Sequence, residues 1–458
     1  MKPKRKLYIH LNGRIPFPVN QEFFGQTFVI GNHTACSRSE RGRIENIVAY
    51  RKSVHAPPLL EEPSNRMAAA RLTRKKFNAN LLHDYESALD ELSQRLVRKI
   101  EKGALPIIIS HYPISREIDF LIEVKERLRA VGLDRRALFV AYLHTQFDIY
   151  RNGDGNGVSQ FVKKINEHCD LVVAVTNAIK KEFEELSEKI LGKPVDGEKV
   201  RLIRNGIDPL TYTVYDEELV AECRSELGLA KDLRALFGYV GRLDRIKGSD
   251  LLVKIIDYFD KSKRPEDNEV GFLIATSHVI RPDTGSSYFM ELFKMERLIA
   301  EDRLKLVLDI SKFVRRDERY REIVKKLMSS FAPQKFAELE RQKIYGGMTV
   351  FPVQAISDAV IHPARSEGLP LAILEAIFSG AFVLGSTAGG LPETVPATAG
   401  LLLPHNLNNV SEYVNIMTHL DGNGRRRAPT DLEEFTDRTM FRKLEDAVSD
   451  ALWKKSGG

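Results

Sequence analysis

Residues 361–394 read Ile-His-Pro-Ala-Arg-Ser-Glu-Gly-Leu-Pro-Leu-Ala-Ile-Leu-Glu-Ala-Ile-Phe-Ser-Gly-Ala-Phe-Val-Leu-Gly-Ser-Thr-Ala-Gly-Gly-Leu-Pro-Glu-Thr. Two carboxylates, Glu367 and Glu375, stand eight positions apart, with a Gly-Leu-Pro-Leu turn and the opening of a helix between them. Apolar runs at 358–362 and 381–385 predict strands on either side. A strand, a turn and a helix start make the junction at which α/β proteins bind phosphate. Phosphate alone would be repelled by the two acids. A nucleotide sugar would use both features, with its diphosphate at the helix N-terminus and its hydroxyl groups on Glu367 and Glu375.

Outward from this stretch, strand-like and helix-like runs alternate. In the first half, strands are predicted at 7–11, 106–110, 137–143, 171–175 and 200–203, with helices at 116–131, 157–168 and 178–191. After Asp208 the rhythm breaks at Pro209 and a polar run. It restarts with strands at 235–240, 271–275, 305–309, 358–362 and 381–385 and helices at 249–259 and 371–379. This rhythm predicts two doubly wound parallel sheets. The expected organisation is a Rossmann-like domain over 1–208, a linker over 209–232, a second Rossmann-like domain over 233–428, and a terminal helical segment over 429–458. The interval from Ser277 to Thr349 is long for a compact domain, so a helical insertion is expected near 312–345.

Composition narrows the classes. The chain has 458 residues, 43% of them hydrophobic and 29% charged, which is globular chemistry. Three cysteines, Cys36, Cys169 and Cys223, form no CxxC pair and fit a reducing compartment. No apolar run approaches the roughly 18 residues needed to span a bilayer, and basic residues 1–6 lead straight into a short strand, so a cytoplasmic protein is expected. A net charge of +6 is modest, and no zinc-finger or RNA-binding pattern accompanies it, so nucleic acid is not an expected partner. The basic stretch 312–343 reads foremost as a solvated helix face and secondarily as contact with an anionic membrane surface or a phosphorylated acceptor.

Several chemistries lack their motifs. No G-x-G-x-x-G follows a strand, and the glycine-rich run at 152–157 has the wrong spacing. Walker A, HExxH and G-x-S-x-G are absent, and no Asp-x-Asp sits at a strand end.

The Glu367 to Glu375 stretch resembles the Glu-x7-Glu signature of retaining glycosyltransferases of the GT-B fold, the large family numbered four. Two further segments agree. Phe237-Gly-Tyr-Val-Gly-Arg-Leu-Asp-Arg-Ile-Lys-Gly248 resembles that family's strand and turn for the donor diphosphate, and Val200-Arg-Leu-Ile-Arg-Asn-Gly-Ile-Asp208 its N-domain closing strand. The resemblance implies two Rossmann-like domains facing across a cleft, with the terminal helix crossing back to the first. It implies hexose transfer from a nucleoside-diphosphate sugar, UDP-glucose foremost, to a hydroxyl of a sugar, sugar-phosphate or glycoconjugate acceptor. It further implies a metal-independent, front-face mechanism with no cofactor beyond the co-substrate.

The site residues follow from the matched positions. Arg242 and Lys247 would hold the diphosphate, Glu367 the donor sugar and Glu375 the ribose. The amides of Gly368, Leu369 and Leu371 would serve phosphate and sugar, since Pro370 has no N–H. His10, His111 and His144 each lie at the C-terminal end of a predicted strand, the edge that faces the binding crevice of a doubly wound sheet. His144 would orient the donor sugar or acceptor hydroxyl. His10, Asn12, Gly13 and His111 would bound the acceptor. Two other readings compete: a phosphorylase or nucleotide-sugar epimerase on the same fold, and a non-catalytic sugar-nucleotide-binding subunit.

Overall fold

The computed structural model describes residues 6–12, 44–50, 85–111, 116–147, 156–207, 209, 212, 214–276, 288, 291–292, 294–308, 351–404, 409–420 and 432–456. The described residues fall into two compact units. One holds those up to Gly206 and those from Glu433 onward, and the other holds Ile207–Leu432.

The first unit is built on a six-stranded parallel sheet. Its strands are β1 (Lys6–Asn12), β2 (Ile44–Tyr50), β3 (Leu105–Ser110), β4 (Leu138–Leu143), β5 (Leu171–Ala174) and β6 (Val200–Leu202), in the order β2-β1-β3-β4-β5-β6. Helices α1 (Tyr85–Glu101), α2 (Arg116–Ala130), α3 (Asn156–His168) and α4 (Asn177–Leu191) connect them. The central strands are continuous apolar runs because both faces are covered; Leu138–Leu143 is buried at every position. Helix α4 starts where Thr176 Oγ1 accepts the Ile179 amide and stops at Gly192 in the left-handed region.

The second unit repeats the plan. Helix α5 (Glu217–Glu226) precedes β7 (Ala235–Val240). Then come α6 (Ser249–Lys261), β8 (Val270–Thr276), α7 (Glu296–Ala300), β9 (Leu304–Leu308), α8 (Phe351–Ile356), β10 (Ala359–His362), α9 (Leu371–Phe378), β11 (Phe382–Ser386), α10 (Leu391–Thr394), β12 (Gly400–Leu403) and α11 (Val410–His419). The sheet order is β12-β11-β10-β7-β8-β9, all parallel. Leu251, Leu252, Ile255, Ile256 and Phe259 form one stripe of α6, which packs with Phe237 of β7 and Phe272 of β8.

The terminal helix α12 (Asp437–Lys455) belongs to the first unit. Thr436 caps it by accepting the Thr439 amide at 3.2 Å. A Cβ on Gly206 would overlap the Thr436 carbonyl, so the Asn-Gly turn after β6 needs glycine to lie against the helix start.

Two sequence readings need adjustment. Residues 209–232 count with the second unit rather than standing apart as a linker, and Arg224 of α5 donates to the Ile356 carbonyl and pairs with Asp358 at 2.8 Å. The terminal helix begins at Asp437, after a capped turn, not near 430. The helix expected at 371–379 is observed as α9, with Pro370 as its cap and Leu371 as its first residue. The region 312–345 lies outside the described residues.

In both sheets the strand order places one topological switch point. It falls between β1 and β3 in the first unit and between β7 and β10 in the second, and ligands of doubly wound folds bind at the carboxyl ends of strands at such points.

Candidate functional site

Two loops leave the switch point of the second unit, 241–248 after β7 and 363–370 after β10. Lys247, at the end of the first, places Nζ 2.5 Å from Glu367 Oε1 in the second. His362, the last residue of β10, has Nε2 2.6 Å from the same oxygen. Glu367 is buried. Burial alone would raise its carboxyl, but the Lys247 ammonium, the hydrogen bond from His362 and its charge lower it from 4.5 to about 2. The group is therefore an ionised acceptor at neutral pH, and His362 meets it with Nε2–H donating.

The two loops are fastened to each other. The Arg365 amide donates to the Ile246 carbonyl at 2.8 Å. The Arg365 guanidinium donates to the Arg245 carbonyl and binds Asp250 through two nitrogens, one at 2.7 Å. Gly248 caps α6 at φ 72°, and a Cβ there would overlap the Pro363 carbonyl oxygen. No side chain caps the start of α6.

Asp244 organises the turn itself. Its Oδ1 accepts the Lys247 amide at 2.9 Å and its Oδ2 lies 3.0 Å from Arg242 Nη2. Arg242 is thereby tied to the same turn as Lys247, with its side chain 44% exposed.

Glu375, in α9, is buried and held in a separate network. Tyr212 Oη donates to its Oε1 at 2.8 Å and Gln354 Nε2 donates to its Oε2 at 3.0 Å. A carboxylate offers about four lone-pair sites and can accept parallel donors at both oxygens. Gly368 and Leu369 are buried in the loop before α9, and Leu371 opens that helix half-buried.

In the first unit, three histidines stand side by side on adjacent strands. His10 lies near the end of β1, His111 directly follows β3, and His144 directly follows β4. His10 Nδ1 is 2.9 Å from His111 Nε2, and His111 Nδ1 is 3.1 Å from His144 Nε2. Tyr142 stacks on His144 with ring centroids 4.6 Å apart and planes 10° apart. Burial pushes the His144 imidazole down from 6.5 to about 3, so it is neutral. Asn12 ends β1, and Gly13 lies outside the described residues.

Sequence reasoning missed His362, Asp244, Tyr212 and Gln354. His362 carries the signal used for the other three histidines, an imidazole at the C-terminal end of a strand. Asp244 sits inside the quoted Gly-Arg-x4-Lys-Gly turn, where a residue three before an amide is placed to cap it. Tyr212 and Gln354 reach Glu375 from distant parts of the chain and carry no local signal. Among the described residues, no group of three or more His, Cys, Asp or Glu is arranged to hold a metal ion.

Residues 295–420, which include Glu367 and Glu375, match the family described as glycosyl transferases group 1. A curated relative, alpha-maltose-1-phosphate synthase of Mycolicibacterium smegmatis, is 25% identical over 267 residues. That match covers 57% of this chain and 55% of that protein, about half the relative's length. Among solved structures, Anabaena HepE in complex with UDP aligns over 97% of this chain and 100% of its own, with a TM-score of 0.61 and 16% identity. Sucrose-phosphate synthase from Thermosynechococcus elongatus aligns over 97% and 99%, with a TM-score of 0.62 and 15% identity. These likenesses establish the fold expected from the sequence, two Rossmann-like parallel-sheet units. The overall likeness thus shows the GT-B fold, and the stretch 295–420, which carries Glu367 and Glu375, is similar to the glycosyl transferases group 1.

Proposed function

We propose that the chain transfers a hexosyl group from a nucleoside-diphosphate sugar, UDP-glucose foremost, to a hydroxyl of a sugar, sugar-phosphate or glycoconjugate acceptor, with retention at the anomeric carbon. The observation that carries the reading is the Lys247–Glu367–His362 contact at the β7/β10 switch point. It joins a cation suited to a phosphate with a carboxylate suited to sugar hydroxyls. HepE binds UDP and, in a further structure, UDP-glucose, which supports the choice of donor for this chain.

In this reading the donor diphosphate lies against Lys247 and Arg242. Without donor, Lys247 is neutralised by Glu367. An arriving diphosphate competes for the ammonium, and His362 keeps Glu367 in place as Lys247 turns toward phosphate. Glu367, freed of its cation, accepts hydrogen bonds from the hexose hydroxyls. Glu375 accepts the ribose diol while Tyr212 and Gln354 fix its orientation. As the bond from the anomeric carbon to phosphate breaks, negative charge grows on the leaving oxygen and Lys247 and Arg242 stabilise it. That oxygen takes the proton of the acceptor hydroxyl as the new bond forms on the same face. Glu367 stays ionised throughout and acts through its charge on the oxocarbenium-like carbon rather than as an acid.

The test is a thermal-shift series over UDP-, GDP- and ADP-glucose, followed by an acceptor screen and product NMR. UDP-glucose should raise the melting temperature and the product should keep the α configuration of the donor. Addition of EDTA should leave the rate unchanged, because diphosphate neutralisation is assigned to side chains. An inverted product, or no stabilisation by any sugar nucleotide, would overturn the proposal.

A further inference from the structure

The histidines of the first unit form a connected row rather than three separate contacts. His10 is 0% and His111 2% exposed, so neither offers a free surface to a substrate, whereas His144 is half-buried at the end of the row. The rings of His10 and His111 lie with centroids 5.2 Å apart and planes 29° apart, and those of His111 and His144 at 5.4 Å and 16°. With nitrogens 2.9 and 3.1 Å apart, these are edge-to-edge, nearly coplanar rings joined through their nitrogens. Tyr8 flanks His10 at 6.2 Å, and Tyr142 lies parallel to both His111 and His144. The stacks hold the ring planes in register.

We infer that His10 and His111 are positioning residues of a tautomer-coupled imidazole relay that ends at His144 Nδ1. A neutral imidazole has one N–H donor and one bare nitrogen. Each inter-ring hydrogen bond needs one proton and no more. If His10 Nδ1–H donates to His111 Nε2, then His111 carries its proton on Nδ1 and donates to His144 Nε2. His144 must then carry its own proton on Nδ1 and present a donor. In the reverse state His144 Nε2–H donates to His111, His111 Nε2–H donates to His10, and His144 Nδ1 is an acceptor. The three rings therefore share one tautomer, all Nδ1–H or all Nε2–H, and switch together. Only a charged His111, donating at both nitrogens, would break this rule, and burial opposes that charge.

The consequence for transfer rests on the function proposed above. His144 Nε2 is taken up by the row, and the polarity its Nδ1 shows toward a sugar hydroxyl follows the tautomer shared with His111 and His10. Nothing in that logic requires His10 or His111 to touch the substrate.

The decisive measurement is nitrogen NMR on the whole chain labelled with [15N]histidine. In the wild-type protein the three imidazoles should show the same tautomer. A mixed set, or a charged His111 at neutral pH, overturns the relay. In His10→Phe, which keeps a ring beside Tyr8 but removes the first hydrogen bond, the His144 nitrogen shifts should move from one tautomer toward an average of two. In the same variant kcat should fall about tenfold, the size of one net hydrogen bond, with donor KM unchanged. Unmoved His144 shifts in a folded His10→Phe protein also overturn the relay. If His10→Phe fails to fold, the wild-type tautomers decide alone. A shared tautomer in a protein without transferase activity would leave the relay standing and remove the function, and active protein with mixed tautomers would do the reverse.

Discussion

At Glu367 burial and charge oppose each other directly. Desolvation disfavours the carboxylate, yet Lys247 and His362 hold it ionised, at about 2 against 4.5 in the unfolded chain. The unfolded chain takes up its proton first on acidification. The stability contributed by this group is therefore complete above pH 4.5 and is lost as pH falls through 2. Glu367→Gln should lose less stability than wild type across that window, read as melting temperature against pH. At neutral pH the same variant should lower kcat by about 100-fold or more, because an interaction with developing charge is removed. Near wild-type turnover in a folded Glu367→Gln protein would withdraw the residue from the mechanism. Glu367, Glu375 and Lys247 were legible in the sequence because their spacing is local. Their partners were legible only where the partner also ends a strand. His362 satisfies that condition, whereas Tyr212 lies 163 positions from Glu375 and meets it only through the fold.

The elements that matter most are the two loops at the β7/β10 switch point, which act as one piece. Arg365 reaches across to Asp250 and to two carbonyls of the first loop, and Gly248 allows the backbones to touch. Gly248→Ala combines a left-handed φ of 72° with overlap on Pro363, so it should destabilise the protein by roughly 1–3 kcal/mol or more. Because the loop would separate from its neighbour at Lys247, donor affinity should fall as well. Urea unfolding and calorimetric titration with UDP-glucose measure the two effects. Unchanged affinity in a destabilised variant would mean that the loops do not position the cation. At this scale the sequence was most readable where burial is two-sided. The runs at 107–109 and 138–143 are continuously apolar and were read within a residue of their ends. Two strands at the margins of the sheets were not read. Strand β2 is interrupted by Glu45 and Asn46, and β12 is a four-residue run opened by glycine, with Leu401 42% exposed. A strand with one neighbour needs less apolar continuity and so leaves a weaker pattern. Helix α1, by contrast, shows buried Leu89, Leu92, Leu96 and Ile100 at helical spacing, a signal present in the sequence without any motif to draw attention to it.

On the scale of the whole molecule, the chain returns to its first unit through α12. Met440, Leu444, Ala447 and Val448 form a buried stripe at helical spacing. Polar contacts fix its rotation. Glu445 accepts from Tyr8 and pairs with Lys6 at 2.8 Å, and Lys455 places its ammonium 2.6 Å from Asp170 and 2.7 Å from the Ala137 carbonyl. Burial of three large apolar side chains at about 1.5–3 kcal/mol each gives an upper-end contribution of roughly 5–9 kcal/mol, comparable to the net stability of a domain. Deletion of residues 433–458 should therefore abolish cooperative unfolding of the first unit rather than trim its margin. Lys455→Met removes the ammonium that lies over the Phe139 ring at 5.2 Å and leaves Asp170 short of one partner. That variant should melt a few degrees lower, in line with about 1–2 kcal/mol for a partly buried charged hydrogen bond. Circular dichroism is the appropriate probe, because Trp453 is the chain's single tryptophan and is 69% exposed, so its emission would report little of the transition. If the truncated chain retained a sharp transition at the wild-type temperature, α12 would be an appendage of the first unit and not a structural part of it.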